Sequence, residues 1–140
     1  MPIPAEVFLS HSSLDEAIVT PLADALRRHG VPIWYSKINI LGAQQWQDEI
    51  GAALKRCDWF LVVLSPNAVN SMWVKREVQY ALAQNRFADR IIALHAQPCD
   101  FESLSWVLSS IQRVDFDKGA DAGYRDLLRI WAVGFQPVAP

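Results

Sequence analysis

The apolar run Trp59-Phe60-Leu61-Val62-Val63-Leu64, closed by Asp58 before it and Ser65-Pro66-Asn67 after it, narrows the possible folds more than any other feature. It has the length of a strand and is apolar at every position, so both of its faces must be covered. That is the condition of a central strand in a parallel sheet, whose crossover helices lie above and below. Val7-Phe8-Leu9 reads as a first strand, residues 31–35 as a second, 91–95 as a fourth and 111–114 as a fifth. Pro32 confines the second to an edge. Helical spacing alternates with these strands, in Leu14, Ala17, Ile18, Leu22, Ala25 and Leu26, then in Trp46, Ile50, Ala53, Leu54 and Cys57. It returns in Val74, Val78, Ala81 and Leu82, and again in Tyr124, Leu127, Leu128 and Trp131. The expected class is α/β, a three-layer fold whose five-stranded parallel sheet carries helices on both faces.

Local signals set the boundaries. Ser13-Leu14-Asp15-Glu16 has the pattern of a capping box, with Ser13 as N-cap. Pro21 should kink or restart the helix that follows. Gly30 should end it, after Arg27, Arg28 and His29 complement the negative end of the helix dipole. Ser65-Pro66-Asn67 reads as a turn, and Asn70 or Ser71 as the cap of a helix reaching about residue 85. Residues 98–110 read as loop with at most a short helix, and a last helix is expected over 121–133. The organisation is one domain, residues 6–133, between an extension (1–5) and a tail or linker (134–140).

Composition excludes several classes. At 140 residues, 51% hydrophobic and 20% charged, the chain can bury a core and is not disordered. A net charge of −2 without a basic stripe argues against direct nucleic-acid or membrane-surface binding. No apolar stretch approaches the ~18 residues of a membrane span, and the first residues lack the pattern of a signal peptide. Cys57 and Cys99 form no CxxC and read as free thiols of a reducing compartment, with the cytoplasm expected; the alternative is one disulfide in an exported domain.

A sheet of this kind binds ligands at the carboxyl ends of its strands, and the fold alone does not name the chemistry. The loop after the first strand, Ser10-His11-Ser12-Ser13, has no glycine and is neither a dinucleotide fingerprint nor a P-loop. Acidic phospho-acceptor positions are missing, and Ser65 and Pro66 stand where such a domain needs an aspartate. His11, His29 and His95 are scattered, so no metal is expected, and no GxSxG elbow is present. The informative helix is that of Trp73-Val74-Lys75-Arg76-Glu77-Val78. Trp73 and Glu77, four apart, share a face beside the stripe that packs on the sheet. On spacing alone this is either a carboxylate partly desolvated by an indole or an exposed tryptophan beside a solvated Glu77 paired with Lys75 or Arg76.

In order and spacing, Phe8-Leu9-Ser10-His11-Ser12-Ser13, Ile33-Trp34-Tyr35, the Gly42 loop with Trp46, Phe60-Leu61-Val62-Val63-Leu64-Ser65 and Trp73-Val74-x-x-Glu77 resemble the TIR (Toll/interleukin-1 receptor) domain family, prokaryotic type. The likeness covers residues 6–131. It implies a flavodoxin-like fold and one of two jobs. Some members cleave NAD+ at the nicotinamide–ribose bond, giving nicotinamide with ADP-ribose or a cyclic ADP-ribose isomer. Others are non-catalytic modules of TIR–TIR interaction, either adaptors or effectors that interfere with a host.

The catalytic glutamate of the first group maps to Glu77, with NAD+ as substrate and no further cofactor. Ser10, His11, Ser12, Ser13, Gly42, Trp46, Ser71 and Trp73 are the positions expected to bind substrate. Ser13 has its capping role as the stronger alternative, and His11 is either a base or a rim histidine satisfied by backbone. The absence of arginine at Ser12 and Ser13, where some animal relatives carry it, removes a charged clamp on phosphate. Ile38, Ile40, Leu41 and Gly42 correspond to the mobile loop through which family members self-associate, as homo-oligomers or filaments, and complete the site. The alternative is that these residues fold back onto Trp46. The family context implies innate or antiphage defence or cell-death signalling, with a fused or associated sensor domain.

Overall fold

A computed structural model describes residues 2–35 and 43–138. Strands β1 (Val7–Ser10), β2 (Ile33–Trp34), β3 (Trp59–Leu64), β4 (Ile91–His95) and β5 (Gln112–Asp115) form a five-stranded sheet in the order β2-β1-β3-β4-β5, parallel throughout. The apolar run takes the central place, and the proline-bearing segment the edge. Helices α1 (Glu16–Arg28), α2 (Ala43–Arg56), α3 (Pro66–Val69), α4 (Met72–Leu82) and α5 (Ala120–Arg129) complete a flavodoxin-like α/β fold.

Alternation along each strand divides the core in two. Val7, Leu9, Leu61, Val63, Ile92 and Leu94 face α1 and α5, packing on Leu22, Leu26, Leu127, Leu128 and Trp131. Phe8, Phe60, Val62, Leu64 and Ala93 face α2 and α4, packing on Ile50, Leu54, Val74 and Val78. All six residues of β3 are buried, as a strand covered on both sides requires. No helix among the described residues is long and apolar enough to cross a membrane.

Several local expectations are corrected. A 3-10 turn, Ser13–Asp15, precedes α1, and Ser12 rather than Ser13 caps it, accepting from the Leu14 N–H at 3.2 Å. Asp15 then holds the N-cap position of α1 without capping it, because its carboxylate turns inward to another loop. The helix runs unbroken across Pro21, which is exposed together with Ala17, so water can meet the carbonyl that lacks a helical N–H. Gly30, at φ +83°, does end the helix. The expected turn at Ser65 becomes α3, capped by Ser65. Helix α4 stops at Leu82, and a 3-10 turn, Asn85–Phe87, follows that buries Phe87 completely.

At the other end α5 stops at Arg129, because Ala132 takes φ +57° and the Val133 N–H returns to the Leu128 carbonyl. The segment beyond it is extended as expected, but docked. Phe135 stacks on His29 with centroids 5.4 Å apart, and the Gln136 N–H donates to His29 Nε2 at 2.9 Å. Arg28 donates to the Gln136 carbonyl at 2.5 Å.

At Gly123, α5 lies close against Phe116, the residue that follows β5. A Cβ there would stand 2.1 Å from Phe116 Cδ1, while Phe116 already packs edge-on against Tyr124. Overpacking costs roughly 1–3 kcal/mol, and at contacts this short the upper part of that range outweighs the ~1 kcal/mol that Ala gains over Gly in a helix. Gly123→Ala should therefore lower the melting temperature by several degrees in a thermal unfolding scan, and an unchanged or raised value would contradict this packing.

Candidate active site

Ser10 is the last residue of β1, and α4 crosses the sheet so that its second turn lies beside it. Val74, Val78 and Ala81 turn onto the sheet, and Glu77 falls between them. Three residues after Val74 and four before Ala81, its side chain is carried inward with theirs. Glu77 is 6% exposed and Ser10 is 1% exposed. The Ser10 hydroxyl donates to Glu77 Oε1 at 2.7 Å. Burial pushes the Glu77 carboxyl up to about 7, and the Ser10 bond partly opposes that rise. The solvated, ion-paired alternative is thus overturned. Among the described residues no cation pairs with Glu77, and the Arg76 guanidinium lies over the Trp73 ring instead, 5.3 Å from its centroid.

One turn before Glu77, half-buried Trp73 meets Trp46 of α2 edge to face, with centroids 4.4 Å apart. Trp73, with Trp46 against it, therefore stands one helical turn from a buried carboxylate that no described cation pairs. Such a carboxylate keeps its capacity to stabilise positive charge that develops on a bound molecule, and the low polarity around it strengthens that attraction.

His11 Nδ1 donates to the Ser12 carbonyl at 2.8 Å, while the ring meets Tyr35 edge-on at 5.7 Å. The Nδ1 side of the ring is thus satisfied by backbone. Ser12 is buried and engaged as a cap, whereas Ser13 is exposed. Ser71 caps α4, accepting from the Val74 N–H at 3.2 Å. The structure thus brings Ser10 to Glu77 and Trp46 to Trp73. Ile38, Ile40, Leu41 and Gly42 lie outside the described residues.

Sequence reasoning missed one feature of this rim. Asp15, 4% exposed, accepts a short hydrogen bond from the Ser65 hydroxyl and another from Asn67 Nδ2 at 2.8 Å. The capping-box pattern around it gave a sufficient local explanation and hid the longer-range one. Among the described residues no group of His, Cys, Asp and Glu has the arrangement of a metal site. A cleft of about 380 Å³ opens at the amino ends of β4 and β5, lined by Leu82, Phe87, Ile91 and Ile111, away from the carboxyl edge that holds Glu77.

The TIR domain profile matches residues 7–128. The chain is 28% identical over 88 residues to the 2′ cyclic ADP-D-ribose synthase BtTIR of Bacteroides thetaiotaomicron, covering 62% of this chain and 31% of that protein. It is 30% identical over 90 residues to the NAD(+) hydrolase TcpC of Escherichia coli O6:H1, covering 64% and 29%. The chain thus spans about a third of the length of these curated relatives. Among solved structures, the TIR domain of the Toll-related receptor TRR-2 from Hydra magnipapillata superposes with a TM-score of 0.70 at 21% identity, over 89% of this chain and 96% of that one.

Proposed function

The chain belongs to the TIR domain family, and from that premise we propose that it is a catalytic member, cleaving NAD+ at the nicotinamide–ribose bond with Glu77 as the catalytic group. The observation that carries this reading is the buried Glu77 carboxylate, held by Ser10 beside Trp46 and Trp73 and free of any described cation. The two named relatives, a cyclic ADP-ribose synthase and an NAD+ hydrolase, support it.

The chemistry needs little more. Nicotinamide departs from a pyridinium as a neutral base, taking the electron pair of the C–N bond, so no general acid has to protonate it. Ordinary glycoside hydrolysis, by contrast, generally uses two carboxyl groups. What develops is positive charge on the ribose, which Glu77 stabilises electrostatically while hydrogen-bonding the ribose hydroxyls. Trp73, with Trp46 behind it, walls the nicotinamide ring. Ser13 and His11 line the rim that faces the rest of the dinucleotide. Attack by water gives ADP-ribose and a proton, and attack by a group of the same ADP-ribose gives a cyclic product.

We place this activity in the cytoplasm, in defence or cell-death signalling, within a longer protein or an associated sensor. Self-association through the segment of Ile38, Ile40, Leu41 and Gly42, as a homo-oligomer or filament, would raise it. Concentrated protein incubated with NAD+ should release nicotinamide, resolved by chromatography from ADP-ribose and its cyclic isomers, and the co-product separates hydrolase from cyclase. Specific activity should rise across a dilution series towards high concentration, and a flat series would remove the self-association part. No release from protein clustered on beads would assign the chain to the non-catalytic interaction modules.

A further inference from the structure

Asp15 is a second buried carboxylate, at the start of α1, and none of its described partners is a cation. Its two acceptor oxygens are divided between two donors of one segment, Ser65 at the end of β3 and Asn67 in the first turn of α3. Ser65 in turn accepts from the Ala68 N–H at 3.0 Å, so the carboxylate, the hydroxyl and the start of α3 form a continuous chain. From there Val69, Asn70 and the Ser71 cap lead directly into α4, which carries Trp73 and Glu77. The end of β1 and the turn after it therefore grip the α3–α4 segment twice, through Ser10 on Glu77 and through Asp15 on Ser65 and Asn67.

We infer that Asp15 is a positioning residue for Glu77. By tying the turn after β1 to the start of α3, it holds α4 at the spacing at which the Ser10 hydroxyl meets the Glu77 carboxylate. The inference rests on the reading of Glu77 as the catalytic group. Only a carboxylate accepts from both Ser65 and Asn67 without presenting a donor to either. Burying such a charge without a cation is costly unless each oxygen is satisfied, and this geometry satisfies both. With the tie broken, α3 loses the anchor of its first turn, and displacements near 1 Å in a catalytic group are enough to cost a large part of a rate.

The test is Asp15→Asn, which keeps size and shape and turns one acceptor into a donor. In protein labelled with 13C-glutamate, the Glu77 carboxyl signal, assigned by its loss in Glu77→Gln, is titrated by NMR. Loosening of the Ser10 bond should move the Glu77 midpoint upward, by roughly half a pH unit. Removing a nearby negative charge with no change of position would move it downward. With NAD+, kcat should fall about ten- to hundredfold, and KM should change far less.

The double variant Asp15→Asn/Asn67→Asp exchanges donor and acceptor across the same contact and should restore both midpoint and kcat. An unchanged or lowered Glu77 midpoint, with only the melting temperature reduced, would overturn the inference and leave Asp15 a purely structural group. The titration needs no turnover, so a chain inactive on NAD+ would refute the proposed function while the midpoint still judged Asp15. If Asp15→Asn does not fold, Ser65→Ala and Asn67→Ala each remove one donor and are measured in the same way.

Discussion

Glu77→Gln should reduce nicotinamide release by at least ~10²–10³, the cost of removing one preorganised electrostatic contact with a transition-state charge. The substitution isolates charge from shape. Glutamine has the volume of glutamate, and its Oε1 can accept the Ser10 hydroxyl as Glu77 Oε1 does at 2.7 Å. Val74, Val78 and Ala81, which fix the rotation of α4 on the sheet, are untouched. What disappears is the negative charge facing the ribose as nicotinamide departs, in a site without any other described carboxylate hydrogen-bonded to Glu77 or Ser10. Because the departing base needs no proton, the reaction does not call on a second carboxyl group to share the work. Product chromatography of wild type and variant at equal, high concentration measures the effect. Full turnover by Glu77→Gln would refute the assignment of the catalytic group, even with the wild type active.

The same variant shows how far the sequence by itself reached. The central place of β3 followed from its being apolar at every position, and the edge place of β2 from Pro32, which cannot serve an interior strand. The end of α1 was announced by Gly30, since the left-handed conformation there favours glycine. The end of α5 was not, because Ala132 adopts that conformation in place of a glycine, and the tertiary contacts of Phe135 and Trp131 fix it.

In the candidate site, the shared face of Trp73 and Glu77 was legible, but the depth of Glu77 was not. Depth depends on how α4 is rotated against the sheet and on Trp46 from α2, neither of which is a local property. One signal was available, since a carboxylate three after Val74 and four before Ala81 lies inside an apolar stripe. For Asp15 no such signal existed. Its partners Ser65 and Asn67 are about 50 residues away in the chain, and its surroundings already satisfied a capping motif.

Titration of Glu77 should appear twice, once in rate and once in stability, with opposite slopes. Its carboxyl is pushed from an ordinary 4.5 up to about 7 by burial. The catalytic form is the carboxylate, so kcat/KM should rise about tenfold per pH unit below ~7 and level off above it. Bound NAD+ brings a pyridinium cation close to that carboxylate and favours its charged form. The limb in kcat should therefore lie at lower pH than the limb in kcat/KM.

Stability runs the other way. The native protein holds the Glu77 proton between 4.5 and about 7 while the unfolded chain has lost it. The contribution of this group to stability is thus complete below the unfolded value and is lost as pH rises through the folded one. Glu77→Gln carries no such titration. Its melting temperature should match that of the wild type near pH 4 and exceed it above pH 7, by on the order of 10 °C for a difference of about 3 kcal/mol. Parallel melting curves at all pH values would mean that the carboxylate is solvated, and the rate limb would then fall near pH 4.5 as well. A gap that opens as the rate rises would show that the wild type gives up stability at neutral pH to keep a charge that no described cation pairs where the ribose cation forms.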